Sequence, residues 1–313
     1  MGRLVTFDEF TSGARPQGGS IAESVIGDII NLISRRRPAQ AVLPSTNVDN
    51  TYVEQQTDSY ASRAHNANVE GVPFTNPSLT QPTRHFVNVQ SFAKWGEVSD
   101  EQSLVRHYGM EDPFTYQGVK KMNELLNDIE HALHRGSSAS GETNVARQLG
   151  GFLNIANSNV YTSSSGTTLT EEVFVDLLEA WLTNTYDIRP TIAFVNTLLK
   201  RTITGYNTNI TRNIDADERR QVLNIMRHES DFGNVDIMYS EDQLRAASKT
   251  AQGNSVIFID PEYLMIGWLR RPMIEPLTRE GFSNRFQINA QCTLLYKSDI
   301  AVGGGDGFVS LIP

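Results

Sequence analysis

The residues that could take part in catalysis or metal binding are few, and their spacing suits neither task. Glu130, His131 and His134 fall on one predicted helix, but histidines at i and i+3 without further ligands do not form a zinc motif. We therefore expect solvated helix residues at these positions. Cys292, the single cysteine, alternates with its neighbours in a strand pattern and is predicted to be a small core residue, not a nucleophile. One cysteine also excludes an intrachain disulfide framework and a multi-cysteine zinc site.

Two short motif matches have simpler interpretations. The glycine-rich stretch 303–307 lacks the Lys-Ser/Thr pair of a phosphate loop and no helix follows it, so we predict a turn. Ser91 and Lys94 match S-x-x-K within a strand pattern, without the Lys-Thr-Gly element that accompanies that motif in enzymes. The sequence thus predicts no catalytic, cofactor-binding or metal-binding residue, and we expect a protein that is not an enzyme.

The composition describes an acidic chain able to bury a core. The 313 residues are 39% hydrophobic and 20% charged, with a formal net charge of −9, so no global basic field attracts nucleic acid. No run approaches the roughly 18 apolar residues that cross a bilayer. Polar residues interrupt the segment from Ile21 to Ile33, which argues against a signal peptide. We expect a soluble, intracellular type of chain without a membrane partner.

The N-terminal region predicts an arm followed by a helix. Residues 1–19 have no periodicity, whereas Ser20 and Glu23 form a capping box. An apolar stripe follows at helical spacing: Ile21, Val25, Ile29 and Leu32. The cations Arg35, Arg36 and Arg37 complement the helix dipole in the last turn, and Pro38 is predicted to end the helix. The arginines either cap a solvated face or contact phosphate or an acidic neighbouring subunit.

Residues 50–98 predict a long two-stranded excursion. Thr51–Asp58 and Thr83–Val98 have strand patterns, and the polar stretch between them offers little for a core. An isolated two-stranded hairpin is only marginally stable in water, so this one is expected to pack against another surface. It carries charges of both signs: Glu54, Asp58, Arg63, Glu70 and Arg84.

The longest predicted helix runs from Pro113 to Arg135, with Asp112 as its N-cap and Gly136 after its end. Its predicted apolar face contains Val119, Met122, Leu126, Ile129 and Leu133, widened by Leu125 and Ala132. Leu126 and Ile129 are expected to face a sheet.

From residue 169 the pattern is that of a compact α/β region. Thr170 caps a helix, Thr191–Val195 is a short buried strand, and strands follow at Val235–Tyr239 and Ser255–Ile259. Asp260-Pro261 predicts another helix start, and the tail from Ser283 alternates like β-structure.

Four stretches resemble the major capsid proteins of tailed bacteriophages: TNVDNTYVEQQTDSYASRAHN, RHFVNVQSFAKWGEVSDEQ, HYGMEDPFTYQGVKKMNELLNDIEHALHRG and VIFIDPEYL. The resemblance covers the chain from about Asn50 to the end. It implies an α+β class and the HK-ninety-seven-like capsid fold, with an N-arm, an extended E-loop hairpin, a P-domain with a long spine helix, and a compact α/β A-domain.

Mapped onto this sequence, the resemblance implies five segments: an N-terminal arm and helix (1–49), the E-loop hairpin (50–98), the P-domain (99–168), the A-domain (169–269) and a returning β-tail (270–313). This assignment implies no catalytic, cofactor-binding or metal-binding residue. The candidate contacts between subunits are the N-terminal stripe, the Arg35–Arg37 cluster and the hairpin charges.

The implied function is self-assembly, as hexamers and pentamers, into the icosahedral head shell of a tailed phage around double-stranded DNA. Scaffolding, portal and decoration proteins are the further partners, and the implied location is the virion, with the host cytoplasm during assembly. Some relatives link hairpin lysines to a neighbour covalently, but the first lysine here is Lys94. Non-covalent contacts are therefore expected to hold the shell.

Two other classes of protein stay open. A bacterial encapsulating compartment shares this fold and encloses protein cargo. An unrecognised hydrolase is the remaining enzyme hypothesis, which activity in an assembly-defective monomer would favour.

Overall fold

The structure, a computed structural model, describes residues 35–58, 65, 67, 70–71, 81–105, 107, 112–156, 160–162, 167–185, 188–206, 227–243, 253–298 and 301–309. Its strands in chain order are β1 (Ser45–Asn47), β2 (Tyr52–Thr57), β3 (Thr83–Asn88), β4 (Gln90–Ser99), β5 (Val160–Thr162), β6 (Ile192–Val195), β7 (Arg227–Ser230), β8 (Gly233–Tyr239), β9 (Asn254–Ile259), β10 (Leu264–Leu277), β11 (Ser283–Tyr296) and β12 (Val302–Phe308). Its α-helices are Pro38–Val42, Asp100–Leu104, Pro113–Arg135, Phe152–Ile155, Glu171–Thr185 and Thr197–Gly205.

The long helix Pro113–Arg135, called the spine helix below, has the predicted bounds. It begins where the Asp112 carboxylate accepts hydrogen bonds from the backbone N–H groups of Phe114 (3.0 Å) and Thr115 (3.2 Å). These bonds satisfy two of the donors that a helix start leaves free. It ends where the N–H of Gly136 donates to the carbonyl of Ala132.

The spine helix packs against a four-stranded sheet of order β1-β10-β11-β4. Its buried apolar face is rotated from the predicted one: Leu125, Ile129 and Leu133 are fully buried, whereas Val119 is 53% exposed. The prediction was therefore wrong for Val119, and Leu126 is only partly buried against the core. Gly118 takes part in the buried face because a side chain there would press on Ile274.

The six-stranded sheet has the order β5-β12-β9-β6-β8-β7, and its central strands β9 and β6 are buried along their whole length. Ile192 and Phe194 of β6 join the core of the spine helix, while Ala193 and Val195 join a second core beneath helices Glu171–Thr185 and Thr197–Gly205. Burial of both faces explains why β6 (IAFV) is a continuous apolar run and why β9 ends in one. Thr170 caps the first of these helices, as predicted, by accepting from the N–H of Val173.

Two strand predictions required correction. The stretch Thr83–Val98 is divided at Val89: β3 pairs with β2 in a separate two-stranded sheet, and β4 pairs with β11. The predicted turn at 303–307 is instead part of β12. Glycine is needed there because a Cβ at Gly304, with φ +150°, would lie 2.0 Å from the carbonyl oxygen of Val256.

Two predictions that concern proline were also wrong. Pro38 occupies the first turn of the helix Pro38–Val42, so it begins a helix. The predicted helix at Asp260-Pro261 is a single 3₁₀ turn, Pro261–Tyr263, because strand β10 starts at Leu264. The stripe Ile21, Val25, Ile29 and Leu32 lies outside the described residues. The division into five segments stays a prediction; β10 runs across the boundary placed at 269/270.

Candidate subunit-contact surfaces

The hairpin formed by β2 and β3 is fixed to the rest of the subunit at its root. The Tyr52 hydroxyl donates to the carbonyl of Ser140 (2.8 Å), and the Asn88 amide donates to the Ser138 hydroxyl (3.2 Å). Arg147 lies over the Tyr52 ring at 5.7 Å from the centroid. Away from this root the hairpin alternates between exposed and half-buried residues. Its far part therefore contributes little to the core of its own subunit.

Two of the predicted hairpin charges lie beside each other. Glu54 and Arg84 form an ion pair across the two strands at 3.7 Å, and both side chains are about two-thirds exposed (66% and 69%). Exposed pairs of this kind contribute about 0–1 kcal/mol. Asp58 and Glu70 are exposed, and Arg63 lies outside the described residues.

The three arginines before Pro38 have different environments. Arg35 forms an ion pair with Glu241 of its own subunit, at 3.7 Å. Arg36 is exposed. Arg37 is half-buried, and in the described part of the chain its Nη1 atom is buried without a hydrogen-bond partner. The structure thus joins one member of the cluster to an acidic loop, and this partner is intramolecular.

An exposed apolar surface, which the sequence analysis did not identify, lies on the four-stranded sheet. Trp95 is 73% exposed, Met273 53% and Leu277 41%. The register of β4, β11 and β10 places these three side chains on the face opposite the spine helix. Only the three-dimensional register reveals this surface, because its members are nearly 180 residues apart in sequence.

A charged cluster borders this apolar surface. The Glu97 carboxylate accepts a hydrogen bond from the Ser283 hydroxyl and forms an ion pair with Arg285 at 3.3 Å, and these contacts hold its pKa below the ordinary value. Glu97 therefore stays ionised at neutral pH. The same guanidinium bonds to Glu280, so a network of charged groups follows the edge of the sheet.

The C-terminal turn of the spine helix carries two buried polar residues that sequence reasoning misjudged. His131 is exposed, as predicted, but His134 is completely buried and Glu130 is 1% exposed. His134 lies between Glu130, Ser240 and Gln243, at 3.3, 3.1 and 2.9 Å. A signal was present, since Glu130 and His134 are four residues apart and directly follow the buried Ile129 and Leu133.

The described residues offer little for covalent or metal chemistry. Cys292 is fully buried, as predicted, and burial raises the pKa of its thiol to about 12. Among the described residues no group of three or more His, Cys, Asp or Glu side chains could hold a metal ion. Within the same ranges, no helix has the length and hydropathy needed to span a bilayer.

Solved structures with a similar fold are shell proteins. The capsid of a native GTA particle matches with a TM-score of 0.66 at 12% identity, over 93% of this chain and 96% of that one. The capsid of Cyanophage A-1(L) matches with a TM-score of 0.65 at 11% identity, over 92% and 97%. The holo-SrpI encapsulin of Synechococcus elongatus PCC 7942 matches with a TM-score of 0.59 at 10% identity, over 94% of both chains. The chain therefore has the fold of proteins that build closed shells, and the predicted fold class is confirmed.

The family follows from the sequence itself. No curated protein matches the chain. The model of the SU10 major capsid protein family matches residues 5–307, so the chain belongs to that family and is a phage major capsid protein. This confirms the function that the four sequence stretches predicted. A capsid protein assembles with further copies of itself, and its place is the shell of the virion.

Proposed function

We propose that this capsid protein assembles as hexamers and pentamers into the icosahedral head shell of a tailed phage and encloses double-stranded DNA. The observation that carries the proposal is the family match over residues 5–307. Assembly takes place in the host cytoplasm, with scaffolding, portal and decoration proteins as partners. The role is structural and involves no catalysis.

The negative charge of the chain suits the inner surface of a shell that holds DNA. Each subunit has a formal net charge of −9, and a shell repeats that charge many times. An acidic inner surface repels the phosphates of packaged DNA, which bound counter-ions neutralise instead. The DNA then stays mobile within the shell, as release through a portal requires.

Contacts between subunits are proposed to be non-covalent. The first lysine of the sequence, Lys94, follows the hairpin and forms an ion pair with Asp128 of the spine helix at 2.6 Å. It is 31% exposed and faces the spine helix of its own subunit, so it is poorly placed to react with a neighbour. Particles boiled in detergent should migrate as one band near the mass of a single chain. A ladder of oligomers would contradict non-covalent assembly.

Electron microscopy of the expressed protein tests the central proposal. Closed shells of one or a few diameters are expected, either from the chain alone or with its scaffolding partner. Particles from infected or induced cells should contain DNA protected from nuclease. A chain that stays monomeric with every phage partner present would contradict the proposal.

The hairpin is proposed to contact a neighbouring subunit through Glu54 and Arg84. Because these two residues also pair with each other, a single reversal would damage the hairpin itself. The double variant Glu54→Arg with Arg84→Glu keeps the internal pair but reverses both charges toward a neighbour. It should reduce shell yield and leave the thermal unfolding of the isolated subunit unchanged.

A matched control is the double variant Arg227→Asp with Asp236→Arg, an exposed pair between β7 and β8 joined at 2.7 Å. This swap also keeps its internal pair and should assemble like the parent. Parental yield from the hairpin swap would refute a contact through Glu54 and Arg84. Loss of subunit stability would instead mean that these charges serve only their own hairpin.

The N-terminal stripe is proposed to dock on an adjacent subunit, since an isolated amphipathic helix is only marginally stable in water. Deletion of residues 1–34 leaves every described residue in place. The shortened subunit should be soluble and assemble poorly, and normal shells would refute the docking.

One observation favours a second function, the shell of a protein-filled compartment. The encapsulin match extends over 94% of the chain. Purified particles that contain one cargo protein and no DNA would favour this function over a phage head.

A further inference from the structure

The C-terminal turn of the spine helix is the meeting point of three segments that are distant in sequence. The first is the arm root, defined here as residues 35–43. The second is the spine helix itself. The third is the junction loop, defined here as residues 240–243, which directly follows β8. Each of the four loop residues makes a polar contact with the spine helix or the arm root.

The carboxylate of Glu130 holds the arm root. Its Oε1 accepts from the backbone N–H of Ala39 at 2.7 Å, and its Oε2 accepts from the N–H of Gln40 at 3.1 Å. These two N–H groups lie in the first turn of the helix Pro38–Val42, where N–H groups have no partner within the helix. Arg37 occupies the N-cap position of this helix but makes no side-chain cap. A residue about 90 positions later in the chain therefore caps this helix. The Gln40 side chain adds a third bond, to the carbonyl of Leu126 at 2.7 Å.

His134 joins the same carboxylate to the junction loop, and the hydrogen-bond directions are fixed. The Ser255 hydroxyl donates to Oε1 of Gln243 at 2.9 Å, which leaves the amide nitrogen of Gln243 to donate to Nδ1 of His134 at 2.9 Å. Nδ1 is then an acceptor, so the proton of the neutral ring is on Nε2. That N–H points at Ser240 Oγ (3.1 Å) and Glu130 Oε1 (3.3 Å).

We propose that Glu130 and His134 form a coupling element through which the arm root and the junction loop hold each other in place. A buried carboxylate is costly unless donors surround it. Two donors to Glu130 come from the arm root, and the third is the Nε2–H of His134, which Ser240 and Gln243 of the junction loop hold in position. Release of the arm root leaves the carboxylate short of two partners, and release of the junction loop frees the His134 ring that supplies the third. The element thereby fixes the position of residues 35–43 relative to the six-stranded sheet.

The surface contacts reinforce this arrangement without replacing it. Arg35 pairs with Glu241 at 3.7 Å, and Arg135 donates to the carbonyls of Asp242 and Gln243, each at 2.6 Å. The Arg35 and Glu241 side chains are 65% and 47% exposed, so salt screens their attraction. The buried bonds of Glu130 and His134 are protected from that screening.

Hydrogen exchange tests the coupling, with the variant Glu130→Gln in the same assembly state as the parent. An amide has one acceptor oxygen, so at least one of the three N–H groups that now donate to Glu130, those of Ala39, Gln40 and His134, must face an N–H₂ group. Exchange in residues 39–43 should become about ten- to hundredfold faster, the range for lost bonds to a charged group. Exchange in 240–243 should also accelerate, although Glu130 makes no bond to the backbone of that loop. The control Glu124→Gln removes a half-buried carboxylate of the same helix, which pairs with Lys121, and its exchange should be parental.

A second pair of variants keeps the proposal testable if Glu130→Gln does not fold. Ser255→Ala removes the far end of the hydrogen-bond chain and makes no contact with the arm root. It should accelerate exchange at Ala39 and Gln40, whereas Thr293→Val, which removes a buried hydroxyl outside the chain, should not.

The decisive measurement is a double-mutant cycle between Glu130→Gln and Ser240→Ala. The combined effect on exchange of the arm root should be clearly smaller than the product of the single effects. Independent effects, or faster exchange confined to the mutated segment, would overturn the coupling. Because exchange is measured on the subunit, this outcome is separate from success or failure of shell assembly.

Discussion

The spine helix permits a quantitative test of its packing, because two adjacent turns present apolar residues of unequal burial. Ile129 is fully buried among Leu125, Leu133 and the inner face of the four-stranded sheet, whereas Leu126 is only partly buried. Ile129→Ala should lower the free energy of unfolding by about 2–5 kcal/mol, since it adds a cavity to the lost transfer energy. Leu126→Ala should cost about 1–2 kcal/mol, because part of that side chain is already in water.

Urea unfolding followed by tryptophan fluorescence measures the difference. Trp268 belongs to the same core as Ile129, and Trp181 belongs to the second core. A background with Trp95→Phe and Trp181→Phe leaves Trp268 as the single reporter. Val119→Ala is the matched control, because that residue is 53% exposed and should change the midpoint little. A cost for Leu126→Ala equal to that of Ile129→Ala would show that the assigned buried face is wrong.

Two further predictions concern ionisable groups. The Cys292 thiol, buried and with a pKa raised to about 12, should not react with a disulfide reagent at pH 8 until the subunit unfolds, and prompt reaction of the folded protein would contradict its burial. The hydroxyl of Thr115 and the N–H of Phe114 hold the pKa of Asp112 below its ordinary value of 3.8, so the stability from this cap is present above about that pH and is lost as the pH falls through the depressed value. Asp112→Asn should remove this part of the acid dependence, and an unchanged acid profile would show that the cap does not contribute it.

The sequence predicted the structure best where local capping interactions determine it. Asp112, Pro113 and Gly136 set both ends of the spine helix because capping bonds and the proline ring act within one turn. The helix predicted from the same Asp-Pro pair at Asp260 was wrong, because β10 begins immediately after the pair and strand pairing overrides a short helix. The turn predicted for the glycine-rich stretch 303–307 was wrong for a related reason, because the glycines there lie in a strand. Their lack of side chains serves a close approach of two strands, which sequence alone cannot distinguish from a turn.

The candidate contact surfaces were partly predictable. The four-residue spacing of Glu130 and His134 is compatible with burial but does not establish it, because their burial depends on partners about 90 to 110 residues away. Apolar periodicity cannot bring Trp95 and Met273 together on one face. Glu54 and Arg84 were predicted to contact a neighbouring subunit, and this stays a prediction. Their mutual pairing depends on the register of β2 and β3, which the sequence does not specify.

The middle and the C-terminal turn of the spine helix are held by different kinds of interaction. Its middle packs by apolar burial against the four-stranded sheet, an interaction that tolerates small shifts because it has no direction. Its C-terminal turn is held by directional hydrogen bonds to the arm root and the junction loop, which tolerate far less displacement. Because the arm root leads into β1 of the four-stranded sheet and the junction loop follows β8 of the six-stranded sheet, these hydrogen bonds join the two sheets at the C-terminal turn of the spine helix.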